Sequence, residues 1–249
     1  MLEVIGLTRT YGSHQAIKDV SLQVADGELV TIVGPSGCGK STLLRCIAGL
    51  LPPTAGRVVL NGTPVTQVPD RLGVVFQDYS RSLYPWLNVA DNVALPLRRT
   101  KRRRAARREA ALTALESVGL AGFEGRYPWQ LSGGMQQRVA IARALAYNPS
   151  VLLMDEPFAA LDALTRDDMQ RLLADVWRET RKTVIYVTHN VAEAVYLADR
   201  VIIMTPHPGT VKAQVPVRLE RPRDPLSVAF LDHQKQLLRH LGAVAATSP

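Results

Sequence analysis

The chain has 249 residues, 47% of them hydrophobic and 21% charged, the composition of a folded protein with a full-sized core. That excludes a disordered chain, a collagen-like repeat and a disulfide-stapled miniprotein, and no stretch longer than the twelve residues Val58 to Pro69 lacks Asp, Glu, Lys and Arg, too short for a membrane-spanning helix. The formal net charge is +8, yet eight basic residues and no acidic one lie between Arg98 and Arg108, so the remainder is close to neutral.

In chain order, Met1-Leu2-Glu3-Val4 lacks the basic start and apolar run of a secretory signal. With Cys38 and Cys46 the sole cysteines, too close together for a disulfide framework, the expectation is a cytosolic chain with reduced thiols. Residues 2 to 24 and 56 to 68 alternate apolar and polar side chains around the turn Asn61-Gly62, which predicts antiparallel strands. Short Val- and Ile-rich runs at Glu28 to Val33, Leu72 to Phe76, Val151 to Met154, Thr183 to Val187 and Val201 to Met204 predict buried strands. Helical patterns fall between them, at Lys40 to Leu51, Val89 to Leu145, Ala163 to Arg181 and Ala192 to Asp199. In the third of these, Leu164, Met169, Leu172, Leu173, Val176 and Trp177 are expected on one buried face. The tail reads as a strand from Thr210 to Val217 and a helix around Leu226 to Leu241. Alternating strands and helices imply a parallel sheet covered by helices, with a helical subdomain inserted between two core strands.

Gly34-Pro35-Ser36-Gly37-Cys38-Gly39-Lys40-Ser41-Thr42 follows a predicted strand and opens a predicted helix, the context in which G-x-x-x-x-G-K-[ST] cradles phosphate. Glycines let backbone N–H groups approach phosphate oxygens closely, and the helix adds its positive end. Lys40 would neutralise the outer phosphates and Ser41 would ligate Mg²⁺. Val151-Leu152-Leu153-Met154-Asp155-Glu156 is an apolar strand delivering two acids to a sheet edge. Asp155 would support the metal and Glu156 would accept a proton from the attacking water. A second glycine-flanked helix start, Ser132-Gly133-Gly134 ahead of Met135-Gln136-Gln137-Arg138, leaves backbone donors bare behind a Ser132 cap. Two anion-binding helix ends in one chain require an explanation.

Gly34 to Thr42, Leu131 to Arg138 and Leu152 to Pro157, followed by Ala160-Leu161-Asp162 and Thr188-His189, resemble the ATP-binding subunits of ABC transporters over residues 1 to about 205. The resemblance implies an α/β P-loop NTPase core with a mainly parallel sheet, an antiparallel β subdomain and an inserted α-helical subdomain. The core would occupy 1–80 and 147–210, the helical subdomain 81–146 and a C-terminal strand and helix 211–249. It also implies an ATPase in which two cassettes face head to tail, each ATP lying between one copy's phosphate loop and the other's Ser132-Gly133-Gly134. Tyr11 would then stack on adenine, Gln77 would bridge Mg²⁺ or water toward a membrane partner, His189 would hold the γ-phosphate and the attacking water, and Asp162 would link the two sites. Met135 and Asn190 depart from residues frequent in the family, Gln and Asp, without removing a phosphate ligand, a metal ligand or the base.

Closer similarity, in Phe76 to Leu87 and Phe158 to Arg166, is to the importer branch serving nitrate, sulfonates and taurine. It implies a second cassette, transmembrane permease subunits docking near Tyr79 to Leu87, an extracytoplasmic solute-binding protein, and a place on the cytoplasmic face of the membrane. Internal packing is the alternative for Tyr79 to Leu87. The Arg98 to Arg108 run reads as a solvated helix face, ahead of an anionic lipid contact and a nucleic-acid patch. The rival function is a soluble ABC-type ATPase acting on nucleic acid or ribosomes. No metal cluster is expected among the histidines.

Overall fold

The computed structural model describes residues 1–77, 82–100 and 103–245. Along the chain run β1 (Leu2–Tyr11), β2 (His14–Val24), β3 (Leu29–Val33), α1 (Lys40–Ile47), β4 (Ala55–Leu60), β5 (Thr63–Pro64) and β6 (Leu72–Val75). There follow α2 (Val89–Ala94), α3 (Arg104–Ser117), α4 (Gly133–Ala146), β7 (Val151–Asp155), α5 (Ala163–Thr180), β8 (Thr183–Thr188), α6 (Val191–Leu197), β9 (Arg200–Met204), β10 (Val211–Pro216) and α7 (Val228–Ala245). Each expected strand is present with its ends shifted by a few residues, and each helical pattern holds helix, the one from Val89 to Leu145 being divided among α2, α3 and α4, with Gly119 and Gly122 in left-handed backbone between the last two. The first helix stops earliest against expectation, at Ile47, because Gly49 takes a φ of 69° and its α-carbon lies against the Gln67 carbonyl.

Two compact units divide the chain, one of residues 1–69 with 182–249, the other of 70–181. In the first, β1 pairs antiparallel with β2 and with β4, and β4 with β5 around Asn61-Gly62. The same unit holds β3 between β8 and β9, parallel to both, with β10 antiparallel on β9. Strands β3 and β8 are buried at every residue, as required of parallel strands covered on both faces.

The second unit sets β6 parallel to β7 and packs α2, α3 and α4 on one another. Ala111, Ala114 and Leu115 are the buried side chains of α3, so its contact face is small and close-fitting. Helix α5 buries Met169, Gln170, Leu173, Val176 and Trp177. Leu164 departs from the expected face: it is 80% exposed in the first turn, and the stripe it was assigned to begins one turn later at Met169. Of the basic run, Arg98, Arg103, Arg104 and Arg108 are exposed and Arg107 is half-buried, while Lys101 and Arg102 lie outside the described residues. Among the described residues no helix is long and apolar enough to cross a membrane.

Candidate functional site

In the first unit, β3 ends opposite the end of β8, with Val33 in register with Thr188. Gly34 and His189 therefore leave the sheet side by side at its carboxyl edge, where α/β proteins bind ligands. The loop from Gly34 to Gly39 turns back into α1 through left-handed backbone at Gly37 (φ 76°) and Gly39 (φ 92°), conformations that disfavour any side chain. Space enforces the same choice at Gly39, whose added Cβ would lie 2.5 Å from Ile17 Cγ2 and 2.7 Å from the Ala16 carbonyl. No side chain caps α1, so its first N–H groups are available to an anion. Lys40 is buried, and its ammonium donates to the Gly34 and Pro35 carbonyls at 2.9 and 3.0 Å. The loop is thus folded around its own cation, with Ser41 and Thr42 in the first turn of the helix.

Residues that the sequence motif does not announce hold the loop from behind. Gly209 packs its backbone on the Cys38 carbonyl, where a Cβ would come within 2.0 Å, and bonds to β2 through Ala16 and Lys18. His207 lies beside Gly37 and 6.0 Å, ring to ring, from His14. His14 is the register partner of Tyr11, whose ring is 43% exposed and carries the Arg9 guanidinium 4.7 Å above it. Tyr11 therefore sits on the hairpin that buttresses the phosphate loop. The partners of Gly209 come from far along the chain.

His189 is exposed at the end of β8. Its strand end is fixed by buried Glu193, which accepts hydrogen bonds from Tyr186 Oη at 3.0 Å and Thr188 Oγ1 at 2.7 Å. Asn190 caps α6, accepting from the Ala192 and Glu193 N–H groups. An amide does this as well as a carboxylate, so the Asn190 departure keeps the local fold.

In the second unit, Val75 and Met154 are in register on β6 and β7. Gln77 and the Asp155-Glu156 pair accordingly emerge from one edge of the paired strands. Asp155 is buried, Gln77 exposed, and Glu156 half-buried in left-handed backbone at φ 43°, a conformation uncommon for a residue with a side chain.

Helix α4 starts as expected: Ser132 Oγ accepts from the Met135 N–H at 3.3 Å. Gly133 is exposed and Gly134 buried, because a Cβ on Gly134 would meet Thr165 Cγ2 at 2.5 Å. Thr165 in turn donates its N–H to Asp162 Oδ1 at 3.0 Å, so two helix starts, those of α4 and α5, abut. That backbone N–H bond from Thr165 holds the exposed Asp162 carboxyl below the usual range.

Of the segment from Tyr79 to Leu87, Tyr79, Ser80 and Arg81 lie outside the described residues. Leu83 is buried, whereas Tyr84 and Trp86 are exposed and meet edge to face at 5.4 Å. Fully buried Asn92 fixes their backbone, accepting from Tyr84 N–H and donating to the Tyr84, Leu87 and Asn88 carbonyls.

By chemistry alone, the Ser41 hydroxyl, the Asp155 carboxylate and the Gln77 amide oxygen are hard donors of the kind magnesium prefers. Among the described residues there is no cluster of His, Cys, Asp and Glu built to hold a metal by itself.

The chain matches the ABC transporter family over residues 17–159. It is 49% identical to an ABC transporter ATP-binding protein of Methanocaldococcus jannaschii over 96% of this chain and 91% of that one. It is 51% identical to the taurine import ATP-binding protein of Yersinia pestis over 85% and 82%, and 47% identical to that of Escherichia coli over 89% and 86%. Among solved structures, a dimeric post-hydrolysis state of the ATP-binding cassette MJ0796, bound to ADP and Pi, aligns with a TM-score of 0.77 at 38% identity, covering 88% of this chain and all of that one. The cbiO1 cassette of Clostridium perfringens, part of the cbiONQ transporter complex, aligns with a TM-score of 0.81 at 27% identity, covering 97% and 94%. None of these findings supports the nucleic-acid or ribosome reading. Phosphate-loop geometry, fold and relatives converge: the chain belongs to the ABC transporter family and is one of its ATP-binding, ATP-hydrolysing cassettes.

Proposed function

We propose that this cassette energises an importer for a small sulfonate-class solute such as taurine, working as a head-to-tail pair with ATP between the copies. The observation that carries the pairing is the inequality of its two glycine-flanked helix starts. The start of α1 has a buried lysine; the first turn of α4, Gly133-Gly134-Met135-Gln136, has no charged side chain. The α4 end can complete a phosphate site but is poorly equipped to be one. The dimeric state of the related MJ0796 cassette and the taurine-import relatives support the reading.

In this reading Tyr11 takes one face of adenine, and the Gly34 to Thr42 loop wraps the phosphates. Lys40 exchanges its loop carbonyls for phosphate oxygens. Ser41, Gln77 and Asp155 hold Mg²⁺, which when bound offsets phosphate charge. Glu156 accepts the proton of the attacking water, and His189 orients that water and the γ-phosphate. Ser132, Gly133 and Gly134 of the second copy close the site, and Asp162, against Gly134 through Thr165, couples the two sites. Tyr84 and Trp86, presented on an Asn92-braced turn, receive a permease subunit at the inner face of the membrane. The solute-binding protein acts on this chain indirectly, through that permease. The helical subdomain at 81–146, between core segments at 1–80 and 147–210, is the part that moves with the permease.

The test of pairing is Ser132→Arg, expected to bind ATP yet fail to dimerise; unchanged dimerisation refutes a shared site. Solute class is tested on the complex isolated with its membrane subunits and binding protein. Taurine is expected to stimulate ATP hydrolysis, and stimulation by nitrate but not taurine would move the assignment within the branch.

A further inference from the structure

Just ahead of the α4 start the chain builds an aromatic platform. Tyr127 and Trp129 stack with ring centroids 4.6 Å apart and planes within 16°, and Trp129 is 66% exposed. The turn under them is stiff. Tyr127 N–H donates to Gln130 Oε1 at 2.8 Å, Gln130 N–H returns to the Tyr127 carbonyl at 2.9 Å, and Gln136 Nε2 ties the Pro128 and Leu131 carbonyls to α4. An exposed tryptophan held rigidly, with its other face already covered by tyrosine, loses little conformational freedom when a flat group lands on it. It stands three positions before Ser132, so its backbone lies within about 11 Å of the helix start. That is the span of a nucleotide from its terminal phosphate to its base.

We propose that Trp129, backed by Tyr127, stacks on the purine of the nucleotide held by the phosphate loop of a second copy, enclosing the base between itself and that copy's Tyr11. The inference rests on the head-to-tail reading above and adds to it a base-recognition surface contributed in trans. Stacking tolerates any base because every base has a π-face; this contact strengthens nucleotide-driven pairing more than it selects adenine.

Trp177 is buried and Trp86 is the other exposed tryptophan, so Trp86→Phe leaves Trp129 as the one surface reporter. In a Trp86→Phe, Glu156→Gln cassette, ATP is expected to quench tryptophan emission with a midpoint that follows protein concentration together with dimer formation. Adding Ser132→Arg is expected to abolish the quench. Trp129→Ala should weaken ATP-driven dimerisation by about tenfold, and Trp129→Phe should recover most of it. ATP-driven dimers that form without any quench and with unchanged affinity in Trp129→Ala overturn the contact while leaving head-to-tail pairing intact. A quench that persists in dilute monomer overturns the assignment in trans. A Glu156→Gln cassette that never dimerises removes the underlying reading and this inference with it, and a Trp129→Ala defect confined to association with the isolated membrane subunits assigns the platform to docking instead.

Discussion

The two glycine-flanked helix starts, Gly34 to Lys40 ahead of α1 and Ser132 to Gly134 ahead of α4, look alike as strings and differ as structures. The first relies on left-handed glycines and leaves its helix uncapped, with a buried lysine bonded to its own carbonyls. The second uses no left-handed glycine, caps itself with Ser132, and spends Gly134 on close packing against Thr165. An uncapped end beside a cation is an anion site in search of its ligand; a capped end without one is a lid. Glycine therefore has two meanings in one chain, conformational freedom in the first and absence of bulk in the second.

Substitutions separate these meanings. Glu156→Gln is expected to have the largest effect, lowering ATP turnover by about 10²- to 10⁴-fold while ATP still binds and pairs the copies; a phosphate-release assay that finds rapid turnover would remove Glu156 from the role of base. Lys40→Ala should weaken ATP binding in a calorimetric titration by about 10- to 100-fold, the loss of a charged hydrogen-bonding group. Gly39→Ala should destabilise the protein by about 2–3 kcal/mol in urea unfolding, since it combines a forbidden φ with a backbone clash. Gly134→Ala should cost about 1–2 kcal/mol, and Thr165→Ser, by removing the clashing methyl, should restore most of it; no rescue would mean that Gly134 is needed for backbone freedom after all. Smallest is Asn190→Asp, which keeps the α6 cap and should shift stability by less than about 0.5 kcal/mol.

Away from both sites, burial pushes the Cys46 thiol up to about 11 from an ordinary 9.0, against a smaller opposing pull from Arg9. The folded state holds that proton more tightly than the unfolded chain. The associated stability is fully present below pH 9 and is lost as pH rises toward 11. Alkylation of Cys46 at pH 8 should accordingly wait for unfolding, and rapid native-state alkylation would contradict the burial.

Strands and the phosphate loop were legible because their signals are local: four apolar residues around Thr31 in β3, then glycines at fixed spacing. The Ser132 cap was legible for the same reason. What resisted reading depends on distant neighbours. Leu164 obeys the helical period of α5 yet points to solvent, because periodicity gives a face but not where burial begins. Arg223 is buried with its guanidinium donating to the Val195, Tyr196, Ala198 and Val217 carbonyls, while burial and the neighbouring Arg221 charge, against an opposing pull from Asp199, push its pKa down to about 10. Nothing around it in sequence separates it from the exposed Arg218. Gly209 behind the phosphate loop and Asn92 under the Tyr84-Trp86 turn belong to the same class. Each satisfies or crowds a backbone brought to it by the fold.

The central claim is that one copy holds only half of the reaction centre, and the most direct measurement is ATP turnover per cassette as a function of cassette concentration. The account predicts a rate that falls toward zero on dilution and rises to a plateau as copies pair, with added Ser132→Arg protein poisoning the mixture. A rate per cassette that stays constant at any dilution would contradict it.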